Sequence, residues 1–246
     1  IIPSSSPDSK SDYVVSINFH NGSTAVITFS SKGHTSTGVL EILNLQIGDC
    51  IASLINFERL IIDSEYLVVT EFNKTSGAFV KTYGGYYEIE GDSYKVSLEF
   101  NSDFEKDSIT SIELTKDNSW RNISKPESLL QGKWVMSGRY NNGEFRARDT
   151  NLPRKTMKVL IDGFFQWIAF NTETFRFSGS GGGEYEIEGD GFTVPAKYIE
   201  KIQYFSRDDS RVGAELDFNY EVKEGDWYHS GLSSKGNPIN EVWTLR

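Results

Sequence analysis

The hexapeptide Tyr-Glu-Ile-Glu-Gly-Asp occupies residues 185–190 and occurs again at residues 87–92, an offset of 98 residues (185 − 87). The similarity continues towards the N-terminus without a gap, and 11 of 21 positions are identical between residues 72–92 and 170–190. Chance does not produce such a match, so the chain contains a duplicated unit that is long enough to bury a core of its own. We therefore predict two tandem units of related structure within the 246 residues.

The composition favours β-structure. Aromatic residues make up 13% of the chain, and glycine occurs 22 times against 6 prolines. Aromatic and β-branched residues suit pleated strands, and glycine suits the tight turns between them. Few segments show helical periodicity. We predict an all-β fold of two tandem antiparallel up-and-down β-barrel units.

The second unit has the clearer pattern, with short alternating segments separated by turn residues. Its predicted strands are Gly132–Gly138, Lys155–Ile161, Phe164–Asn171, Phe175–Ser180, Glu184–Glu188, Lys197–Phe205, Ala214–Lys223, Trp227–Leu232 and Glu241–Leu245. We expect Gly181-Gly182-Gly183 to form a hairpin turn that needs positive φ. Such a meander predicts a barrel or a sandwich, and closure into a barrel would remove the exposed edges.

The unit boundaries follow from changes in composition. Residues 1–12 are rich in serine and proline and are predicted to be a flexible leader. We assign residues 13–124 to a degenerate first unit and residues 125–246 to the second, with a polar, proline-containing linker at 124–128. Residues 17–33 also match residues 220–236 weakly. This leaves open whether residues 13–43 belong to the first unit or form a partial extra repeat.

A hairpin is predicted at the start of the first unit. Two alternating segments, residues 14–19 and 24–29, flank the dipeptide Asn21-Gly22. Asn-Gly is typical of a type I′ turn, because both central residues of that turn need positive φ.

Several segments of the second unit carry a family resemblance. These are Gly132-Lys133-Trp134, Phe164–Asn171, Gly181–Tyr185, Phe205–Ala214 and Trp227–Gly236. A Gly-x-Trp motif on the first strand of a β-meander resembles the lipocalin/calycin family. Together the segments are similar to uncharacterised secreted lipocalin-like proteins of Bacteroidetes. The resemblance implies a barrel fold and brings no established activity with it.

This resemblance covers residues 129–246 directly. It reaches residues 44–123 only through the internal repeat, because Cys50 stands where the tryptophan of the motif is expected. Cys50 is the single cysteine, so no disulfide can form within the chain.

Charge and hydropathy restrict the partners. The formal net charge is −10, which argues against binding to nucleic acid or to an anionic membrane surface. No apolar segment approaches the roughly 20 residues of a spanning helix, so we expect no membrane insertion. The chain begins at Ile1 with a polar leader, from which we expect a removed signal and a secreted or periplasmic location.

The segment Phe164–Asn171 is apolar on both faces. One interpretation is core packing, with the strand covered by the barrel interior on one side and by the neighbouring unit on the other. The other is an aromatic-lined ligand cavity, which an eight-stranded barrel can just accommodate. The ligand-binding candidates are Trp134, Phe165, Trp167, Phe177, Tyr185, Trp227 and His229.

Catalytic signatures are weak. Glu186 and Glu188 share one face of a strand, where they could act as an acid/base pair, but alternation with apolar residues is typical of a solvated face. Arg207–Arg211 predicts a charged turn with internal ion pairs, or else an anion site on its two arginines. His20, His34 and His229 do not have metal-ligand spacing, and we predict no catalytic residues, no metal and no cofactor.

The sequence thus predicts a non-catalytic, secreted protein that binds a small, partly apolar ligand in its second barrel. One alternative is extracellular glycan binding, which requires solvent-exposed aromatic residues in a row. Another is a calycin-type cyclase, isomerase or hydrolase that uses His229 or Glu186, which requires a buried group with a shifted pKa in a cleft.

Overall fold

The computed structural model describes the backbone of residues 14–20, 24–30, 38–46, 55–115, 121–123, 128–191 and 196–246, and the side chains of residues 58–115, 128–191 and 196–246. The protein is almost entirely β-structure in two antiparallel sheets, as predicted. The helices within these ranges are a single turn each, at Phe104–Asp107 (α1) and Asp209–Arg211, so none could cross a membrane.

The first sheet contains nine strands. They are β1 (Val14–His20), β2 (Thr24–Ser30), β3 (Gly38–Gln46), β4 (Ile55–Ile62), β5 (Tyr66–Asn73), β6 (Phe79–Glu90), β7 (Ser93–Asn101), β8 (Ser111–Thr115) and β9 (Arg121–Ile123). Strands β1 to β8 pair in chain order, and β9 pairs with β3. This sheet is a curled half-barrel where we predicted a barrel, since no pairing joins β8 to β1 in the described strands. The predicted hairpin is confirmed as β1–β2, but its turn lies outside the described residues.

The second sheet has nine strands, eight of which close into a barrel. Its strands are β10 (Gly132–Asn141), β11 (Glu144–Ala147), β12 (Arg154–Ile161), β13 (Phe164–Asn171), β14 (Phe177–Glu188), β15 (Lys197–Phe205), β16 (Glu215–Lys223), β17 (Asp226–Leu232) and β18 (Pro238–Leu245). The barrel closes where β10 pairs with β18. Strand β11, which the sequence reasoning missed, extends β10 as a hairpin through an Asn142-Gly143 turn with positive φ at both residues.

The predicted turn at Gly181–Gly183 is wrong, because these glycines lie inside the single strand β14 and none of them has positive φ. Glycine is needed at these positions because atoms of the neighbouring strands lie close to the backbone of β14. A Cβ on Gly181 would lie 2.6 Å from Nε1 of Trp167, and a Cβ on Gly183 would overlap the carbonyl oxygen of Lys201. The register shifts between Gly182 and Gly183, so the glycines allow a bulge that bends the strand around the barrel.

The duplication is preserved in the hydrogen bonds. Gly84 and Gly85 form the same bulge in β6 that Gly182 and Gly183 form in β14. The side-chain oxygen of Asn73 accepts hydrogen bonds from the backbone amides of the following turn, and that of Asn171 does the same. The repeated residues therefore fix the same local geometry in both units.

The two sheets pack face to face, and strand β13 lies between two cores. Its residues Phe165 and Trp167 point into the barrel. Its other face joins a cluster shared by both units, as the first interpretation of this strand required. That cluster comprises Ile61, Tyr66, Val68, Phe100, Val135, Met157, Val159, Ile161, Phe164, Ile168 and Phe170.

One polar network crosses this apolar interface. The amide nitrogen of Gln166, which is 1% exposed, donates to the hydroxyls of Thr82 at 3.0 Å and Ser180 at 2.9 Å. Its amide oxygen accepts from Thr70 at 2.9 Å. A buried amide is tolerated only with its partners in place, so this network fixes how the sheets align.

The interface has approximate two-fold symmetry. Phe79 and Phe177, which are equivalent in the repeat, stack on each other with ring centroids 6.0 Å apart. The ring centroids of Phe100 and Phe170 are 5.0 Å apart. The pair at the equivalent positions with the units exchanged, Tyr204 and Phe72, has its ring centroids 4.8 Å apart. The two units therefore meet as the subunits of a symmetric dimer do.

Replacing Gly183 with alanine should lower the free energy of unfolding by about 2–4 kcal/mol, because the new methyl group collides with backbone that cannot move freely. Chemical denaturation measures the change. Ser178→Ala, at an exposed position on the same strand, is the control and should have little effect. Equal stability of the two variants would contradict the bulge geometry.

Replacing Gln166 with leucine should destabilise the protein by roughly 1–3 kcal/mol, because three buried hydroxyls lose a partner. Glu188→Leu, at an exposed site, is the control. A gain in stability for Gln166→Leu in urea denaturation would show that the network does not stabilise the interface.

Candidate functional site

The barrel interior brings together most of the predicted ligand-binding residues. Trp134, Phe165, Tyr185 and Trp227 are buried in one cluster, against which Trp167 packs while remaining partly exposed. His229 adjoins them, with its ring 5.2 Å from that of Trp227. Phe177 does not join the group, because it stacks on Phe79 between the units.

The segment that precedes β10 packs against one end of the barrel. Leu130 is fully buried, and its carbonyl oxygen accepts a hydrogen bond from Nε1 of Trp134 at 2.8 Å. The hydroxyl of Ser128 bonds to that of Tyr185 at 2.7 Å. These contacts hold the segment against the barrel wall at this end.

The opposite end retains partly exposed apolar side chains. We call them the open-end ring: Met136, Trp167, Ala169, Phe205, Leu216 and Ile239. Strand alternation and the ladder registers place all six on the inner wall, at the end where β12 begins and β13 ends. The two ends therefore differ in that a segment of the chain packs against one of them, where Leu245 is also exposed, whereas the other has the open-end ring.

An ion pair lies inside the barrel between these ends. Nζ of Lys158 is 2.6 Å from Oε1 of Glu200, and both side chains are 6% exposed. The ammonium is also surrounded by the rings of four aromatic residues at 5.1–5.6 Å. These are Tyr198, Phe218, Trp227 and Trp243. Desolvating two charges costs several kcal/mol each, so the pair needs both the Coulomb attraction and the cation–π contacts.

A second polar pair is formed by His229 and Glu241. Nδ1 of His229 lies 3.5 Å from Oε2 of Glu241, at the outer limit of a hydrogen bond. Burial, reinforced by the charge of Lys158, lowers the pKa of His229, so the imidazole is neutral at pH 7. Burial would raise the pKa of Glu241, but His229 and Lys158 outweigh it and lower that pKa.

Some buried polar atoms in this interior have no hydrogen-bond partner in the described part of the chain. Nε1 of Trp227 and Nε2 of His229 are both buried and unpaired there. Each unpaired buried group costs about 1–3 kcal/mol. The interior is therefore more polar than a core built for stability alone requires.

The other candidate groups lie elsewhere. Glu186 and Glu188 are on the solvated face of β14, as favoured above, and Glu186 pairs with Lys201 at 2.7 Å. The charged turn also has the predicted ion pair, with Nε of Arg211 3.0 Å from Oδ2 of Asp208. Within the described ranges, no group of three potential metal ligands occurs.

Three charged interior residues were missed by sequence reasoning: Lys158, Glu200 and Glu241. The alternation of inward and outward residues along β15 could have revealed Glu200. Glu200 lies between Tyr198 and Ile202 on the inward face of β15, and a charge at an inward position is the exception that marks a buried polar site.

Comparison with known proteins adds no assignment. No protein-family model matches the chain, and no curated protein sequence matches it significantly. The closed antiparallel barrel is compatible with a calycin-like fold.

The lowered pKa of His229 predicts a specific pH dependence. The unfolded imidazole takes up a proton near pH 6.5, whereas the buried one resists it. Its contribution to stability is therefore complete above pH 6.5 and is lost as the pH falls towards the folded pKa. Between pH 7.5 and 5.5, we expect a loss of about 1 kcal/mol that His229→Phe abolishes.

Denaturation at each pH and NMR titration of the imidazole measure this effect. His20 and His34 provide internal reference signals in the same spectra. A pKa of His229 at or above 6.5 in the folded protein would contradict the prediction.

Proposed function

We propose that the protein binds a small, partly apolar ligand at the open end of its second barrel, without catalysing a reaction. The asymmetry of the barrel carries this proposal. The segment that contains Leu130 packs against one end, while the open-end ring leaves six apolar residues partly exposed at the other. Exposed apolar side chains on a concave rim are typical of a ligand site.

The depth of the site follows from the packing beneath the ring. Tyr198 and Trp227 are fully buried and fill the middle of the barrel. A ligand therefore contacts the ring and reaches down only as far as Glu241, whose side chain is 18% exposed. We call the space between the open-end ring and Glu241 the cup. Its small depth suits a ligand with one ring system or a short chain.

The alternatives have less support. An enzyme that uses Glu186 would need a buried carboxylate, but Glu186 is exposed and ion-paired. His229 has the burial and the shifted pKa, but a substrate would have to reach a side chain that is 1% exposed. Glycan binding needs a row of exposed aromatic residues. Those exposed in the described part of the chain are Tyr86, Tyr140 and Phe145, of which only the last two adjoin.

A secreted or periplasmic location is part of the same proposal. It is based on the polar leader at residues 1–12, which lies outside the described residues.

Filling the cup should abolish binding. Ala169→Phe places a phenyl group among the open-end ring, and titration with the fluorescent, uncharged probe N-phenylnaphthylamine should show at least tenfold weaker binding than the wild-type protein. Val80→Phe, at an exposed position in the first unit, adds a similar volume away from the cup and serves as the control.

Unchanged binding to Ala169→Phe would place the site elsewhere. Absence of binding to the wild-type protein would count against the proposed function itself.

A further inference from the structure

Positive charge is concentrated around the open end of this acidic protein. Arg139, Arg146, Arg148 and Arg154 lie on or beside the β10–β11 hairpin, and Arg207 lies across the rim from them. No carboxylate lies within the 4 Å ion-pair distance of these five guanidiniums in the described part of the chain. The chain has 35 acidic residues against 25 basic ones, so the lack of pairing is not due to a shortage of carboxylates.

The β10–β11 hairpin brings like charges together. Arg139 stands directly opposite Arg146 in the β10–β11 ladder, where like charges destabilise a strand pair, and opposite Glu241 in the β10–β18 ladder, where the charges attract. Burial lowers the pKa of Arg148, and the charges of Arg154 and Arg139 lower it further, against an opposing contribution from Glu241. Repulsion of this kind is relieved when an anion binds among the guanidiniums.

Two of these arginines touch the cup. Nη1 of Arg148 lies 3.0 Å from the sulfur of Met136 and 3.5 Å from the hydroxyl of Thr156. On the other side, the guanidinium of Arg207 lies 5.6 Å from the ring centre of Trp167 and donates to the carbonyl oxygen of Ser178. The open-end ring is thus flanked by two cations, and each contacts one of its members.

The charges beneath the ring set the orientation of a ligand. Glu241 lies on the inner wall and Glu200 lies deeper, where Lys158 already neutralises it. Glu241 faces the cup and has no ion pair with a lysine or arginine in the described part of the chain, although the charges of Lys158 and Arg148 act on it. It repels an anion that enters the barrel, whereas the arginines attract one that stays at the rim.

We propose that the ligand is an amphiphile with an anionic group, such as a carboxylate, sulfonate or phosphate, that is held at the rim by Arg148 and Arg207 while its apolar part occupies the cup. This inference rests on the proposed function, because it assigns the ligand class of the same site.

A pair of probes that differ only in charge tests it. Anilinonaphthalene sulfonate carries one sulfonate, and N-phenylnaphthylamine is its uncharged analogue. We expect the wild-type protein to bind the sulfonate about tenfold more tightly than the analogue, as expected for charge-assisted hydrogen bonds at a partly exposed site. The preference should shrink in high salt, since ions screen such charges.

Substitutions locate the preference. Arg148→Gln and Arg207→Gln should each reduce the ratio of the two affinities several-fold. Arg148→Lys keeps the charge and should retain most of the preference. Lys223→Gln removes one positive charge at the opposite end of the barrel and is the control for net charge.

The outcomes separate the two proposals. If the wild-type protein binds both probes equally, or if Lys223→Gln lowers the ratio as much as Arg148→Gln does, the anion site at the rim is refuted and the apolar cup stands. If neither probe binds, the proposed function fails and the anion site fails with it.

Discussion

The alignment of the two sheets depends on the amide of Gln166. Apolar faces can slide over one another at little cost, because the hydrophobic effect has no direction. The three hydroxyls around Gln166 remove that freedom, since any slip would leave buried polar groups unpaired. The same strand supplies Phe165 and Trp167 to the barrel interior. The position of the barrel wall and the contact between the units are thus set by one segment.

The sequence predicted this architecture where a residue pattern is compatible with only one local structure. The repeat predicted two related units, and alternation along Phe164–Asn171 predicted a strand with both faces covered. The prediction failed at Gly181–Gly183, because glycine is suited equally to a turn and to close approach. The contacts that decide between the two come from Trp167 and Lys201, which are distant in sequence.

The candidate site was predictable only in part. Aromatic residues on inward positions indicated Trp134, Trp227 and His229, and the structure places them together. The pairing of Lys158 with Glu200 could not be predicted, because these residues are 42 positions apart in the chain. They meet across the barrel interior, and the sequence does not specify how the barrel closes. Among the arginines of the rim, only Arg207 was singled out from the sequence. Arg139 and Arg146 were missed because the β10–β11 hairpin that carries them was not predicted.

The closure of the barrel by β10 and β18 has a consequence for how the chain folds. Trp134 lies opposite Leu245, so the ladder that seals the barrel joins the first strand of the second unit to its last strand, β18. Contacts this far apart in sequence form slowly, since the loop must lose its entropy before any pairing compensates for it. During synthesis, β10 cannot gain this neighbour until β18 has left the ribosome. The barrel therefore closes only after all of its other strands are available, and until then the edge of β10 that faces β18 is exposed to misassembly.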